Sequence, residues 1–345
     1  MTAAEKSFIG LAAQSAKDTP NTTDADFVYF LFRNAGVAPQ NVIIPLDTEV
    51  GGGAMLRDMV KVGVTSGGTM DFIPRPASLG WLLFGALGDV DTTDNLDGSY
   101  THDFTLDSTD QFAAPYFTVR SAPGFLLGEQ FQDSRVANLA INFAGARFVD
   151  GAYTIIGGLP KTVSTATWTP ATYVDDGPQF LGPTSDPIEL PTGTAIKVLS
   201  GSFVIGMNIP LDEQWVIGSY TPDDFDINQR TMVITFNVKI TDAALYKKMM
   251  YDPDGGSDWT ASLFQEGDIK LNLESPDEAA TGVPYALDVN LNTTDDNCIW
   301  SAAPIALRAG RQVIMSVTGV VTNVNTGDPI TISLTNQEDG YTLPT

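Results

Sequence analysis

Apolar and polar residues alternate in short blocks along this chain, separated by Gly, Asp and Pro, and that period of two predicts strands. In the first half the blocks are Tyr100 to Leu106, Tyr116 to Ser121, Val136 to Ala144 and Ala152 to Leu159. In the second half they are Ala195 to Met207, Arg230 to Ile240, Ile269 to Leu273, Ala286 to Leu291, Ala303 to Leu307 and Gln312 to Val321, with Ile330 to Leu334 as an edge strand. Val60 to Phe72 also alternates, but Ser66-Gly67-Gly68 interrupts it, which suits a hairpin. Two stretches carry helical spacing instead. Ser78 to Leu87 places Leu79, Leu82, Leu83 and Ala86 on one stripe, with Ser78 as N-cap and Gly88 just past the end. Thr241 to Tyr251 pairs Leu245 with Met249 and turns Lys247 and Lys248 outward. Ala4 to Ala16 suits a short helix, broken by Thr19-Pro20.

The order of these elements repeats. Gly68 to Ile73 leads into the first helix, and Arg230 to Phe236 leads into the second. Each helix is followed by an Asp/Gly-rich turn, an alternating strand (Thr101 to Leu106; Asp268 to Leu273) and a strand opened by Pro-Tyr (Pro115-Tyr116; Pro284-Tyr285). Each half then closes with Ala-Gly beside a basic residue, at Ala144 to Arg147 and Ala309 to Arg311. The reading is a mainly β chain with two tandem sandwich or half-barrel domains, each with one short flanking helix. Its parts are an arm (1–45), a first domain (46–163), a linker (164–187) and a second domain with a tail (188–345). Phe27, Tyr29, Phe30 and Phe32 should dock the arm on a neighbouring copy or on its own first domain, because exposed aromatics invite association. Trp168, Tyr173 and Phe180 suggest that the linker also lies against something.

At 345 residues the chain can bury two cores without staples. Its 42 acidic residues outweigh 18 basic ones, for a net charge of -24, and the longest cationic cluster is Lys247-Lys248. A DNA reader would neutralise phosphates with clustered cations, so specific nucleic-acid binding is not expected. The acid excess would repel DNA, serve as a solvated surface, or reflect a salty environment. The longest apolar run, Leu79 to Leu87, is too short to span a bilayer, and Met1 to Pro20 has no secretion-signal pattern. Membrane association is not expected.

Little in the chain points to catalysis. The one histidine, His102, stands in an alternating strand beside Asp103, and no Gly-x-Ser-x-Gly elbow accompanies it. The one cysteine, Cys298, sits among Ile299 and Trp300 as a buried residue would, and a single cysteine forms no internal disulfide. Gly51-Gly52-Gly53 lacks the Lys-Ser/Thr of a phosphate loop and reads as a turn. Asp252 to Asp258 resembles half a calcium loop, but its twelfth position is Leu263. Asp89, Asp91, Asp94 and Asp97, or Asp223, Asp224 and Asp226, could gather a hard cation, although acidic turns are common without one. A glycosidase-type carboxylate pair would need His or Arg helpers that are scarce here. No metal or other cofactor is expected.

Several runs together resemble the major tail tube proteins of long-tailed phages and viruses, of the two-domain type. They are Thr69 to Phe72, Leu79 to Gly88, Tyr100 to Phe104 and Pro115 to Val119, then Val198 to Phe203 and Arg230 to Phe236. The resemblance covers roughly residues 5 to 322. It implies a structural virion protein in which three chains supply the six domains of a ring, and rings stack into a tube that passes the genome. Implied partners are further copies, the tail terminator, tape measure and baseplate proteins, and passing DNA held without specific binding; implied assembly is in the host cytoplasm. Inward strand positions should be neutral or acidic. The acidic loops Asp89 to Asp97 and Asp212 to Asp226, with Asp91, Asp94, Trp215, Tyr220, Asp223 and Asp224, are candidates for ring stacking. A terminator, a baseplate hub, an extracellular β-sandwich binder and an enzyme are the alternatives.

Overall fold

The computed structural model describes residues 7–46, 55, 58–107, 109–110, 112–123, 127–158, 160–163, 179–180, 188, 190, 195–241, 243–265, 270–291, 298–302, 305, 313–322 and 329–344. The first half contains β1 (Phe8–Ala13), β2 (Val28–Phe30), β3 (Phe32–Ala35), β4 (Ala38–Pro45), β5 (Met59–Phe72), α1 (Pro76–Leu87), β6 (Gly88–Asp94), β7 (Tyr100–Leu106), β8 (Phe117–Ala122), β9 (Gly128–Ala144), β10 (Asp150–Gly157) and β11 (Pro160–Val163). The second contains β12 (Lys197–Asn208), β13 (Gln229–Lys239), α2 (Ala244–Met250), β14 (Phe264–Gln265), β15 (Lys270–Ala280), β16 (Val283–Leu291), β17 (Cys298–Ala302), β18 (Ile314–Val321) and β19 (Ile330–Asn336).

Two antiparallel sheets, one of 14 strands and one of five, hold the apolar core between them. The larger carries the repeat in its strand order. In the first half β4, β5, β10 and β9 are successive neighbours; in the second, β12, β13, β18 and β17 are. In each half the helix follows the second of these strands, and a hairpin of the smaller sheet, β6–β7 or β15–β16, follows the helix. The sheet runs on across the junction through seven residue pairs between β9 and β12, from Ser200↔Ala144 to Gly206↔Asn138. The equivalence read from motifs is therefore displaced by one strand: β7 corresponds to β16, which contains Pro284-Tyr285, and Pro115-Tyr116 precedes β8, outside the repeated set.

Several segments depart from the sequence reading. Residues 8–13 form a strand, not a helix, because Phe8-Ile9-Gly10-Leu11-Ala12-Ala13 is buried at every position and paired on both sides, by β2 and β8. Gly67-Gly68 does not turn the chain. Both glycines sit inside β5 at φ 147° and 153°, where a Cβ would lie 2.3 Å from the Ile155 carbonyl oxygen and 2.0 Å from that of Gly36, so the pair admits flanking backbone at close range. The Asp89 to Gly98 region is mostly strand β6, closed by a short turn onto β7. β19 is central, not an edge: it pairs with β16 on one side and β7 on the other, joining the outer hairpins of the two halves. Ala303 to Leu307, Gly51 to Gly53, Trp168, Tyr173 and Ala309 to Arg311 lie outside the described residues or nearly so, whereas β17 was not foreseen.

α1 starts earlier than its sequence suggested. Pro76 takes the first helical position, with its φ preset for a helix, so Ser78 is an interior residue and no side chain caps the start. Gly88 ends it at φ 101°, donating its N–H to the Phe84 carbonyl. The helix touches strands of both sheets, which is why Leu79, Leu82, Leu83, Ala86 and Leu87 are all fully buried and the apolar surface wraps most of its circumference. Burial of each leucine contributes roughly 1.5–3 kcal/mol. α2 is shorter than the expected Thr241 to Tyr251, leans on β17 and buries no residue.

Candidate assembly surfaces

The solvent face of the larger sheet is nearly free of charge. One row crosses seven strands as Asp71, Ala152, Ala140, Val204, Val233, Val320 and Ile299. The next reads Asp150, Asn142, Ser202, Thr235, Thr318 and Ser301. Alternation explains this face: the even-numbered residues of β13, from Met232 to Val238, turn into the core, leaving Thr231, Val233, Thr235 and Asn237 outside. Its charges stand near the margins, where Arg33 pairs with Asp150 at 2.6 Å and Lys197 faces Lys239 at one strand end. Thr69 and Thr154 share a 2.9 Å hydroxyl hydrogen bond across β5 and β10, and Asn237 donates to Ser200 at 3.0 Å. A cleft of ≈ 340 Å³ opens here beside Arg147, Phe148 and Asp150.

Carboxylates gather instead on the smaller sheet. A row across its five strands reads Asn272, Asp288, Ser333, Asp103 and Asp91. Asn272 donates to Asp288 at 2.7 Å, and Ser333 donates to Asp103. Asp89, Asp91 and Asp94 lie on edge strand β6. Asp97 closes the turn by accepting from the Ser99 hydroxyl at 2.7 Å and its amide at 2.9 Å, contacts that lower its pKa. Among the described residues no three His, Cys, Asp or Glu side chains converge as metal ligands would.

The Asp212 to Asp226 loop joins β12 to β13 and is only partly free. Trp215 lies over β5, close enough that a Cβ at Gly63 would be 2.4 Å from its ring, and the Tyr220 carbonyl accepts from the Val64 amide. Asp224 accepts from the Tyr116 hydroxyl at 2.9 Å and pairs with Lys17 at 3.3 Å. Burial pushes the Asp224 carboxyl up, but the Phe225 amide, the Tyr116 hydroxyl and the Lys17 and Arg135 cations outweigh it and hold its pKa low. Asp212 and Asp223 remain exposed, as do Val216, Ile217 and Tyr220.

The arm aromatics pack on their own chain. Phe27 and Tyr29 stack at 6.3 Å between centroids, Arg120 lies 3.7 Å over Phe27, and Phe30 meets Tyr153 at 5.6 Å; Phe32 is half-buried on β3. Phe180 of the linker is buried, its carbonyl accepting from the Val149 amide.

His102 and Cys298 are enclosed. Asn336 uses both amide hydrogens on the Pro76 carbonyl and the Tyr341 hydroxyl, so its oxygen accepts from His102 Nε2–H at 2.9 Å. That leaves His102 Nδ1 to accept from Thr92 at 2.9 Å, and burial pushes the imidazole pKa down. The Cys298 thiol is pushed up to about 12 by burial, far from a thiolate nucleophile. Sequence reasoning missed Arg230, which donates to the Ala86 and Ala113 carbonyls at the C-terminal end of α1 and so ties the second half to the first. Burial, then the neighbouring Arg135, lowers its pKa to about 10.

No described helix is long and apolar enough to cross a membrane. A comparison with curated proteins returns no match. The sequence profile of the family described as phage tail tube protein matches residues 5–337, nearly the whole chain.

Proposed function

Since this chain belongs to the phage tail tube protein family, we propose that three copies close head to tail into a ring of six repeats, and that such rings stack into the hollow tube through which the genome leaves the virion. The family places the protein in the viral tail as a structural component, alongside other tail proteins. The observation that carries the ring is the strand order of the larger sheet. Its internal junction, β9 against β12, is a ready template for the junction between copies, with β17 of one chain meeting β4 of the next. Among the described residues β4 pairs only with β5, and the far side of β17 carries only the two-residue β14. Open edges of this kind invite another strand, and a heterologous contact whose rotation closes makes a ring.

The helices support the same reading. α1 is buried between strands of its own half, β9, β7, β6 and β2, and β12, β16 and β19 of the second half; α2, its counterpart, has β17 against it and buries nothing. A following copy would cover α2 as the second half covers α1. On this reading the neutral face of the larger sheet lines the bore. Rows of Thr, Ser, Asn and small apolar residues give phosphates no cation to bind, so no counterion release holds the duplex in place. The wall is nearly neutral, with its few charges, Asp71, Asp150 with Arg33, and the Lys197–Lys239 pair, near its margins, and carboxylates gather instead on the smaller sheet and the loops. Negative-stain microscopy of the purified protein tests this. Hollow rods are expected, isolated rings would indicate an end-cap, and a persistently solitary chain would refute the proposal.

A further inference from the structure

Cations are scarce in this chain, 18 against 42 acidic residues, yet three border one small cleft. Lys197, Lys239 and Lys248 surround a cavity of ≈ 130 Å³ floored by Leu190, Val238 and Leu245. Lys197 and Lys239 are direct register partners on β12 and β13, and like charges placed so oppose folding. None of the three forms an ion pair with another described residue.

The opposite end of the same hairpin has the complementary character. Residues 211–226 present exposed Asp212, Glu213 and Asp223 around Val216, Ile217 and Tyr220. Among the described residues Ile217 is the most exposed large apolar one, in a turn permitted by Gly218 at φ 96°. β12 spans 12 residues. At about 3.3 Å per residue the loop and the cleft are roughly 36 Å apart along the strands. They cannot meet within one chain.

We propose that the lysine-bordered cleft receives the acidic, apolar-tipped 211–226 loop of a second copy displaced along the strand direction. The inference rests on the tube reading and specifies the axial contact between rings. Ile217 enters the apolar floor, while Asp212, Glu213 and Asp223 approach the three lysines. The contact joins unlike surfaces by a displacement along the axis, so it does not close and repeats without limit. It also gives the tube a polarity, with loops at one end and clefts at the other. Its charge component weakens as salt shortens the Debye length, about 8 Å at physiological ionic strength.

The test compares the full-length chain with K197E/K239E, with D212K/E213K and with the four changes combined, by negative-stain microscopy and sedimentation. K197E/K239E replaces one like-charge pair by another, so thermal melts should match the parent. The expected result is rods from the parent, single rings from either double variant, and rods again from the combination; I217S should also lose rods. Rods of parental length from K197E/K239E, or no recovery in the combination, would overturn the pairing while leaving the ring reading intact. A parent chain that forms neither rings nor rods would overturn the tube reading and this contact with it.

Discussion

Replacing Gly80 by Ala should change sign with the residue at position 341. Gly80 lies inside α1, and a Cβ there would fall 2.0 Å from Tyr341 Cζ, much closer than real contacts allow. Tyr341 cannot retreat: it is 1% exposed, meets Trp81 edge-on at 5.3 Å and His102 at 4.8 Å, and its hydroxyl accepts from Asn336. Overpacking of this kind costs roughly 1–3 kcal/mol. Gly to Ala within a helix returns about 1 kcal/mol of propensity. The net effect in the parent chain is therefore a destabilisation of up to about 2 kcal/mol. Tyr341→Ala alone should cost about 3–5 kcal/mol, as large aromatic truncations in cores do. In that background the clash is gone, and Gly80→Ala should stabilise by about 1 kcal/mol. A double-mutant cycle by urea denaturation, followed through tryptophan fluorescence at low protein concentration, should give a coupling of about 1–3 kcal/mol. Additive effects, with Gly80→Ala equally harmful in both backgrounds, would show that the C-terminal tail does not rest on α1.

Acid should loosen the same region. The folded pKa of His102 lies below its ordinary value of 6.5, so the unfolded chain takes up the proton first and stability falls as pH drops from about 6.5 toward the folded pKa. Thermal melts between pH 7.5 and 5.0 should fall for the parent and fall less for His102→Gln; equal slopes would contradict the buried neutral imidazole. Asp224 works in the same direction at lower pH, because its depressed pKa favours folding only while it stays ionised. The Cys298 thiol should resist a disulfide reagent at pH 8 until denaturant is added, and rapid labelling of the native chain would contradict its burial.

Legibility followed burial. β7 has the bounds its sequence suggested, because one face of Tyr100 to Leu106 is buried and the other is not, and strict alternation follows. β1 was misread because it is buried on both faces, so Phe8 to Ala13 shows no period of two. β6 escaped notice for the opposite reason: an edge strand reading Gly-Asp-Val-Asp-Thr-Thr-Asp buries too little to look like one. The repeated order was visible, but the displacement of the Pro-Tyr motif by one strand was not, since only pairing shows that β16 matches β7. In the Asp212 to Asp226 loop the acids and aromatics can be read from the sequence, but not that Trp215 packs over β5, that Phe225 is buried or that Asp224 is held by Lys17 and Tyr116. The cleft was not legible, because Lys197 and Lys239 become neighbours only through strand register.

The central claim is that the larger sheet continues from one copy to the next as it does from β9 to β12. The mass of the smallest closed assembly tests it most directly. Native mass spectrometry of the purified protein, dissociated to single rings by raised salt, should give three copies of the 36.8 kDa chain. Class averages of those rings should show six similar lobes. A ring of six chains, or a monomer at every concentration, would contradict the account.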